Sequence, residues 1–278
     1  MILKYVKLSI LLKTKPPFFI GSQIRGGLGY ALKNVVCINP TYKCQDCFAS
    51  KSCIYFEYYE KKSIFHKYRL DFNLGSEVYD FSYYLFDDSI KNLPYIVSAF
   101  YKLFTQIGLS KRKIIYKEFD MFVNDELITK NSNIELPKDY SKTLSIDLNT
   151  TSSDKIKIEF ITPLRIKKQN RLITVNNLEI EDLLNSINKR YLQLQNRPLE
   201  KFGFKSSAKI VKKDLKFLDL KRYSNRQKTG MNLGGLVGTI EINDIDELSY
   251  KLFRLAELIG VGKQTTFGLG KIKVSVQS

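Results

Sequence analysis

The sequence lacks the features that mark several common classes of protein. None of its apolar runs approaches the ~20 residues that a membrane-spanning helix needs, so we predict no membrane partner. Its lysine-punctuated N-terminus has no small-residue cleavage site and is not predicted to be a signal peptide. No strand–GxxxxGK[ST]–helix unit is present, which argues against nucleotide hydrolysis. We therefore expect a cytoplasmic protein that is not an NTPase.

Acidic residues are scarce relative to basic ones. The chain has 28 Asp and Glu against 45 Lys and Arg, and its formal net charge is +17. Such an excess favours a polyanionic partner, which means RNA, DNA or an anionic membrane surface. Tryptophan is absent, whereas there are 17 Tyr and 18 Phe, and the chain has a single histidine, His66.

Cysteine is confined to one short segment with the spacing C-x6-C-x2-C-x5-C. Disulfides are disfavoured in a reducing cytosol, and the C-x2-C pair suits two thiolates of a tetrahedral zinc site. The spacing therefore predicts a structural zinc ion, although an iron–sulfur cluster uses the same ligands and unbound thiols are the plain alternative. The predicted metal ligands are Cys37, Cys44, Cys47 and Cys53.

Hydrophobic periodicity predicts an α+β fold with two tandem ferredoxin-like (RRM-like) domains. Residues 155–278 show the order β-α-β-β-α-β, with a Gly-rich loop before the last strand. Residues 1–148 show the same element types, interrupted by the four-cysteine loop at 37–53 and a long segment at 54–92. The polar stretch 149–154 is the predicted linker.

Local signals predict where individual elements begin and end. Ser22 is the expected N-cap of a helix over 23–34, and Asp244 the expected N-cap of the final helix, with Glu247 completing a capping box. Residues 114–123 and 126–136 are predicted to form a hairpin.

The segment 260–270, GVGKQTTFGLG, combines four glycines with one lysine. Glycine allows close approach of the backbone to a ligand, and exposed backbone N–H groups beside a lysine suit phosphate oxygens. A tight turn that packs a helix on a strand is the plain alternative.

Two basic segments accompany this loop. Residues 201–228 hold ten Lys or Arg and two acidic residues, and a second basic cluster spans 165–171. A lysine-rich solvated strand edge is one interpretation. The mixture of cations with Tyr223 and Gln227 instead favours recognition of single-stranded RNA, because these types stack on bases and bond to base edges.

Three motifs carry a resemblance to a known family. Residues 222–238, RYSNRQKTGMNLGGLVG, resemble the RYSxRQxxxMxLGGxxG signature of CRISPR-associated precursor-crRNA-processing endoribonucleases, the Cas-six family of the RAMP superfamily. Residues 261–270 resemble the C-terminal Gly-rich loop of that family, and residues 21–29, GSQIRGGLG, resemble its GSxxRGxLG segment. The cysteine cluster ahead of Tyr55 is also similar to that of members of this branch.

The resemblance implies metal-independent cleavage of CRISPR repeat RNA, in which the 2′-OH beside the scissile phosphate attacks it and leaves 2′,3′-cyclic phosphate and 5′-OH ends. The protein would orient this hydroxyl, move protons and stabilise the charge on the phosphorane. No cofactor would be needed for catalysis, and other Cas proteins of an effector complex are possible partners. The implied RNA-binding residues are Arg25, Arg165, Lys167, Arg222, Tyr223, Arg226, Gln227, Lys228, Gly262, Lys263, Thr265, Thr266, Gly268 and Gly270.

One position departs from the family pattern. Similar members often carry a histidine just before the VGK of the loop, where this chain has Gly260. His66 is therefore the candidate for proton transfer, and Tyr30 and Lys33 are catalytic candidates by position on the first helix. The missing histidine also motivates an alternative, a non-catalytic RNA-binding RAMP subunit of an effector complex. A metal-dependent or redox nucleic-acid enzyme built on the cysteines is a third hypothesis.

Overall fold

The structure is a computed structural model that describes residues 1–62, 64–110, 112–130, 133–146, 154–200, 203–224 and 229–277, without the side chains of 222–224. Most of the predicted linker 149–154 lies outside these residues. Across the described ranges, every helix is too short or too polar to cross a lipid bilayer.

The chain divides into two compact units. The N-terminal unit comprises Lys4–Tyr68 and Gly75–Lys142, and the C-terminal unit comprises Met1–Leu3, Arg69–Leu74 and Thr143–Ser278. The short segment Arg69–Leu74 therefore belongs to the C-terminal unit although it lies far from it in sequence. The sequence analysis placed all residues up to 148 in the N-terminal domain and did not predict that this segment belongs to the C-terminal unit.

The described residues of the first half of the chain form eight strands and two α-helices. In chain order they are β1 (Ile2–Leu12), α1 (Gly21–Val36), β2 (Tyr68–Phe72), β3 (Tyr79–Phe86), α2 (Leu93–Lys102), β4 (Asp120–Val123), β5 (Glu126–Leu127), β6 (Thr129–Lys130), β7 (Asn133–Ile134) and β8 (Lys142–Ser145). The main sheet has the order β2-β3-β1-β4-β5, and β8 also pairs with β1. Strand β1 is central because alternate residues from Val6 to Leu12 are buried.

The second half repeats this arrangement. Its elements are β9 (Ile156–Leu164), β10 (Lys167–Lys168), β11 (Arg171–Leu172), α3 (Ile180–Leu194), β12 (Lys209–Leu218), β13 (Lys221–Ser224), β14 (Thr229–Asn232), β15 (Gly235–Asn243), α4 (Glu247–Ile259) and β16 (Ile272–Val276). The sheet order β12-β15-β9-β16 places the first strand of the unit between the third and the fourth, as in β2-β3-β1-β4. The predicted α+β fold with tandem ferredoxin-like units is confirmed.

Both predicted N-caps are wrong. Helix α1 begins two residues earlier than expected, with Ile20 at the N-cap, so Ser22 lies inside the helix. Its apolar stripe extends back to Ile20, and burial of that stripe outweighs the preference of serine for a cap. Helix α4 is capped by Asp246, which accepts a 2.8 Å hydrogen bond from the Ser249 backbone N–H, whereas Asp244 precedes it in a left-handed turn.

The predicted hairpin at 114–136 is also too long. In its first segment only β4 is a strand, paired with β5, because the backbone of Ile114 turns back to Leu109. The Leu109 N–H donates to the Ile114 carbonyl at 2.8 Å, and the Ile114 N–H donates to the Leu109 carbonyl at 2.9 Å. The predicted hairpin is thus replaced by the short β4–β5 pair and, after it in the chain, by the small β6–β7 ladder.

Two buried arginines of the C-terminal unit bind the last turn of α4. Arg69 donates to the carbonyls of Glu257 at 2.8 Å and Leu258 at 2.5 Å, and Arg190 donates to the carbonyl of Ile259 at 2.5 Å. These carbonyls would otherwise lack partners at a helix end. Burial, and then the nearby charge of Arg69, lower the pKa of Arg190 to about 9. The arginines thus determine where α4 ends and the Gly-rich loop starts.

Gly260 is required by the backbone at this junction. It has φ +77°, and a Cβ built there would lie 3.1 Å from the Thr265 side chain. We predict that Gly260→Ala lowers the free energy of unfolding by about 1–2 kcal/mol, since a side chain in this conformation is strained. Urea denaturation measures the change.

Gly26→Ala is the matched control, because a Cβ at Gly26 meets nothing within 4 Å and the position is helical. This variant is expected to be neutral or more stable than the parent by up to about 1 kcal/mol. Equal destabilisation by both substitutions would contradict the assignment of strain to Gly260.

Candidate active site and nucleic-acid interface

A continuous row of contacts in the N-terminal unit connects Lys33 to His66. Lys33 Nζ lies 5.1 Å from the centre of the Tyr55 ring, and this ring stacks on Tyr59 at 5.4 Å. Tyr59 in turn carries the guanidinium of Arg25 at 4.8 Å. The order continues through Tyr68 to His66, so three residues that the sequence singled out share one site.

Arg25 is the centre of this row. Its Nε donates to the hydroxyl of Tyr68 at 3.1 Å, and its Nη2 donates to the Tyr58 carbonyl at 3.4 Å. The hydroxyl of Tyr59 donates to the Arg25 carbonyl at 3.0 Å. Arg25 sits in the second turn of α1, and these bonds attach the helix to the segment 58–68 that carries the histidine.

His66 is half-buried against two tyrosine rings. The imidazole centre lies 5.4 Å from that of Tyr68 and 6.3 Å from that of Tyr58, in an edge-on arrangement with Tyr58. Because Tyr58 and Tyr68 are both buried, they restrict the orientation of the imidazole. The histidine therefore packs against Tyr68, the same tyrosine whose hydroxyl accepts a hydrogen bond from Arg25.

Tyr30 and Lys33 lie on the C-terminal half of α1. Tyr30 is 63% exposed, so its hydroxyl can reach a bound ligand. Lys33 is half-exposed above the Tyr55 ring, and such a cation–π contact orients an ammonium group without removing it from solvent.

Sequence reasoning missed the tyrosines that build this site. Tyr58, Tyr68 and Tyr83 are each at most 1% exposed, and the rings of Tyr68 and Tyr83 stack at 5.1 Å. Burial raises the pKa of Tyr58 and of Tyr83 above the usual range, so both hydroxyls stay protonated at neutral pH and neither can act as a base. The signal available in the sequence was the density of tyrosine between 55 and 84.

The Gly-rich loop of the C-terminal unit uses most of its backbone N–H groups internally. The N–H of Gly262 donates to Ser186 Oγ at 3.0 Å, that of Lys263 to the Arg165 carbonyl at 2.8 Å, and that of Gly270 to the Pro163 carbonyl at 3.1 Å. Gly268 donates to the Thr265 carbonyl at 3.0 Å. These four N–H groups are therefore not free to hold phosphate oxygens.

The close packing of the loop explains its glycines. A Cβ at Gly270 would lie 1.8 Å from the Val261 carbonyl, and one at Gly268 would lie 2.1 Å from the Phe72 ring. Thr265 is buried, whereas Thr266 is half-exposed and Lys263 is exposed. The loop thus presents mainly side chains, and the lysine is its cationic group.

Arg165 and Lys167 adjoin this loop. The carbonyl of Arg165 accepts from Lys263, and its guanidinium donates to the Gly234 carbonyl. Lys167 is exposed on the short ladder of β10 with β11. The backbone bond from Lys263 to Arg165 places the Gly-rich loop next to the segment that carries Lys167, and we call Lys263, Arg165 and Lys167 the loop surface.

The RYSxRQ segment is only partly described. The backbone of Arg222 and Tyr223 lies in β13, which pairs antiparallel with β14. The predicted contacts of Arg226, Gln227 and Lys228 lie outside the described residues, as do the side chains of Arg222 and Tyr223.

Three strands of the C-terminal sheet, β9, β15 and β16, have a mainly polar open face, whereas the edge strand β12 exposes Phe217. Across β9, β15 and β16, the side chains opposite the helices are mainly charged, with Lys157 facing Glu241 and Lys273 facing Glu159 on neighbouring strands. No aromatic residue lies on this face in the described parts of these strands.

All four cysteines line one small pocket together with Val36, Ile38 and Tyr55. They are half-buried free thiols, and Cys37 Sγ lies 3.8 Å from the Asn39 carbonyl. The shared pocket and the thiolate donor set fit zinc chemically. The four sulfur atoms are not arranged around a common point, since no group of three or more Cys, His, Asp or Glu within the described ranges is close enough to bind an ion. Zinc therefore stays a prediction.

Two family profiles match separate parts of the chain. Residues 158–272 match the profile described as CRISPR-associated endoribonuclease Cas6, and residues 4–132 match a profile described only as an N-terminal domain. A comparison with curated proteins found no match.

Several solved structures are similar over nearly the full length. A Thermus thermophilus Cas6 in a product complex is 14% identical with a TM-score of 0.55, covering 98% of this chain and 100% of that one. A second Cas6, in a substrate mimic complex, is 15% identical with a TM-score of 0.52, covering 98% and 99%. A partial Cas6-RT-Cas1–Cas2 complex has a chain that is 12% identical with a TM-score of 0.53, covering 99% of this chain and 46% of that one. At these identities the likeness shows a shared fold.

The pocket of thiols yields a prediction about metal. We expect purified protein to contain about one zinc per chain by elemental analysis, with Cys44→Ser lowering the content and destabilising the loop. Ser50→Ala, on the same pocket, is the control and should keep the metal. Iron with sulfide in place of zinc would indicate a cluster, and protein that is folded and metal-free would contradict the prediction.

Proposed function

We propose that this chain is a CRISPR-associated endoribonuclease similar to Cas6, whose profile residues 158–272 match, and that it binds CRISPR repeat RNA and cleaves it within the precursor transcript without a catalytic metal ion. The 2′-oxygen attacks the adjacent phosphorus while the bond from phosphorus to the 5′-oxygen breaks. The 2′-OH loses its proton to a base, and the departing 5′-oxygen gains one from an acid. The products carry a 2′,3′-cyclic phosphate and a 5′-OH.

The contact row from Lys33 through Arg25 to His66 carries this proposal. It gathers an imidazole, a guanidinium and an ammonium group in one site. His66 moves the proton, and Arg25 and Lys33 stabilise negative charge on the phosphorane. Tyr30, which is exposed beside Lys33 on α1, supplies a hydroxyl donor to the RNA. None of these steps requires a divalent cation.

The loop surface and the RYSxRQ segment grip the RNA in this proposal. Lys263 and Lys167 are exposed cations, and the resemblance assigns RNA contacts to Arg222, Tyr223 and the following residues. Phosphate contacts of this kind release counterions. When the salt concentration rises tenfold, the logarithm of the RNA affinity should therefore fall by about 0.7 for each phosphate contact. The partners are the repeat RNA and, by analogy with the Cas6-RT-Cas1–Cas2 complex, other Cas proteins.

A non-catalytic RNA-binding subunit is the second candidate, because this chain has Gly260 where related sequences carry histidine. The backbone at Gly260 has φ +77°, and a Cβ built there would lie 3.1 Å from the Thr265 side chain, so this position does not accept a histidine without strain. Glycine therefore fits the local backbone conformation at this position, and its presence also means that the loop lacks the histidine. Turnover of repeat RNA distinguishes the two candidates.

Cleavage without metal is the first prediction of this function. Incubation with the repeat RNA of the neighbouring CRISPR array in EDTA should yield one cut per repeat, with the product ends given above. A single 2′-deoxy substitution at the scissile nucleotide should abolish the cut and leave binding intact, because the nucleophile is then absent. Cleavage of the deoxy substrate would contradict the mechanism.

The second prediction concerns the single histidine. His66→Ala should lower the single-turnover cleavage rate by about 10²- to 10⁴-fold, since that is the usual contribution of general acid–base catalysis. The RNA dissociation constant should change less than about threefold, as the RNA-binding cations are retained. Lys263→Met is the matched contrast and should weaken binding more than it lowers the saturated rate.

Loss of binding in His66→Ala would assign this residue to RNA affinity. Unchanged cleavage would remove it from the active site and leave Tyr30 and Lys33 as the proton-transfer candidates.

A further inference from the structure

The four-cysteine loop exposes large apolar side chains at its tip. Phe48 is 74% exposed, Ile38 is 69% exposed and Tyr42 is 50% exposed. Lys43 and Lys51, which are also exposed, lie between or beside them. Rings that alternate with lysines are the pattern with which proteins hold unpaired nucleotides, because every base can stack and every nucleotide carries a phosphate.

The loop is ordered by its own hydrogen bonds. Asn39 accepts from the Thr41 N–H at 3.0 Å through Oδ1 and donates to the Lys43 carbonyl at 2.9 Å through Nδ2. The N–H of Ser50 donates to the Cys47 carbonyl at 3.0 Å. The exposed rings therefore stand on a defined backbone, which lowers the entropy lost when a ligand stacks on them.

Tyr42 occupies an unfavourable backbone conformation. Its φ is +54°, in the left-handed region that bulky residues rarely adopt. The conformation costs about 1–2 kcal/mol, although an asparagine or glycine would fit it more easily. A ring maintained there at a cost, and half-exposed, is more consistent with a ligand contact than with packing.

The loop begins and returns at the candidate active site. The Cys37 N–H donates to the Lys33 carbonyl at 3.0 Å, and Tyr55, just after the loop, carries Lys33 on its ring. Cys47 and Ala49, the two neighbours of Phe48, line the same small pocket as Tyr55. A strand of RNA bound at Lys33 would therefore lie close to the tip of the loop.

We propose that Phe48 and Tyr42 form a stacking surface for unpaired nucleotides of the repeat RNA next to the scissile phosphate. Lys43 and Lys51 bind the phosphates of these nucleotides. This inference rests on the proposed function and extends it by assigning the four-cysteine loop a direct role in RNA binding. A protein partner that buries the same side chains is the competing occupant, and the test below separates the two.

Binding of an uncleavable repeat RNA, with the 2′-deoxy substitution at the scissile nucleotide, provides the test. Phe48→Ala and Tyr42→Ala should each weaken binding by about fivefold or more, since a stacked base contributes at least that much. Tyr95→Ala is the matched control for Tyr42, because Tyr95 lies on α2 and is also 50% exposed. It should leave the affinity unchanged.

Phe48→Leu distinguishes stacking from general apolar contact. Leucine retains the hydrophobic surface and loses the ring, so the RNA affinity should remain as weak as in Phe48→Ala. Recovery of full affinity by leucine would overturn the stacking proposal, because an apolar contact with the RNA would then suffice.

The absence of tryptophan offers a direct readout that is independent of affinity. Phe48→Trp introduces a single indole, whose emission should be quenched when the RNA is added, whereas Phe18→Trp, at a ring that is 54% exposed elsewhere in the unit, should show little change. Equal quenching at both positions, or none at Phe48→Trp, would overturn the proposal.

The failure of this inference is separable from failure of the proposed function. Wild-type protein that neither binds nor cleaves repeat RNA would overturn both. Normal cleavage with unaltered RNA binding in Phe48→Ala and Tyr42→Ala would overturn only the role of the loop.

Discussion

The candidate site depends on the contacts that the guanidinium of Arg25 makes. This group bonds to the hydroxyl of Tyr68 and the carbonyl of Tyr58, and it lies on the ring of Tyr59. These three contacts join α1 to a segment more than thirty residues later. Without them, the histidine on that segment would have no fixed relation to the helix. A planar cation with several donors suits this task better than lysine, which offers a point charge on a flexible stem.

The fold could be predicted from the sequence to the level of topology. Alternation in β1 and β9 and the helical stripes of α3 and α4 are strong signals, and each half repeats the same strand order. The positions at which helices and strands begin and end were harder to predict from the sequence. Ser22 and Asp244 have cap chemistry, but burial of Ile20 and the turn before Asp246 decided where the helices begin. The exchange of Arg69–Leu74 into the C-terminal unit leaves no local signal, since it depends on contacts between residues far apart in sequence.

The candidate site was predicted in part. Arg25, Lys33 and His66 were singled out by motif or by scarcity, and they occur along one contact row. The tyrosines that connect them were not, because tyrosine is frequent throughout the chain and only burial distinguishes Tyr58 and Tyr68 from the others. The sequence analysis identified the residues of the Gly-rich loop, but the structure shows a different role for their backbone N–H groups. Backbone groups expected to face a ligand bond to Ser186, Arg165 and Pro163, so the glycines serve close packing.

Both ends of the four-cysteine loop are attached to Lys33, at its carbonyl on one side and its ammonium group on the other. A segment anchored at a single residue can lengthen, shorten or change composition while the helix that bears this residue stays in place. Changes in the length or composition of this loop can therefore leave Arg25 and the other groups on α1 in place. Under the proposed function, the loop could change its contacts with RNA independently of the groups proposed to transfer protons.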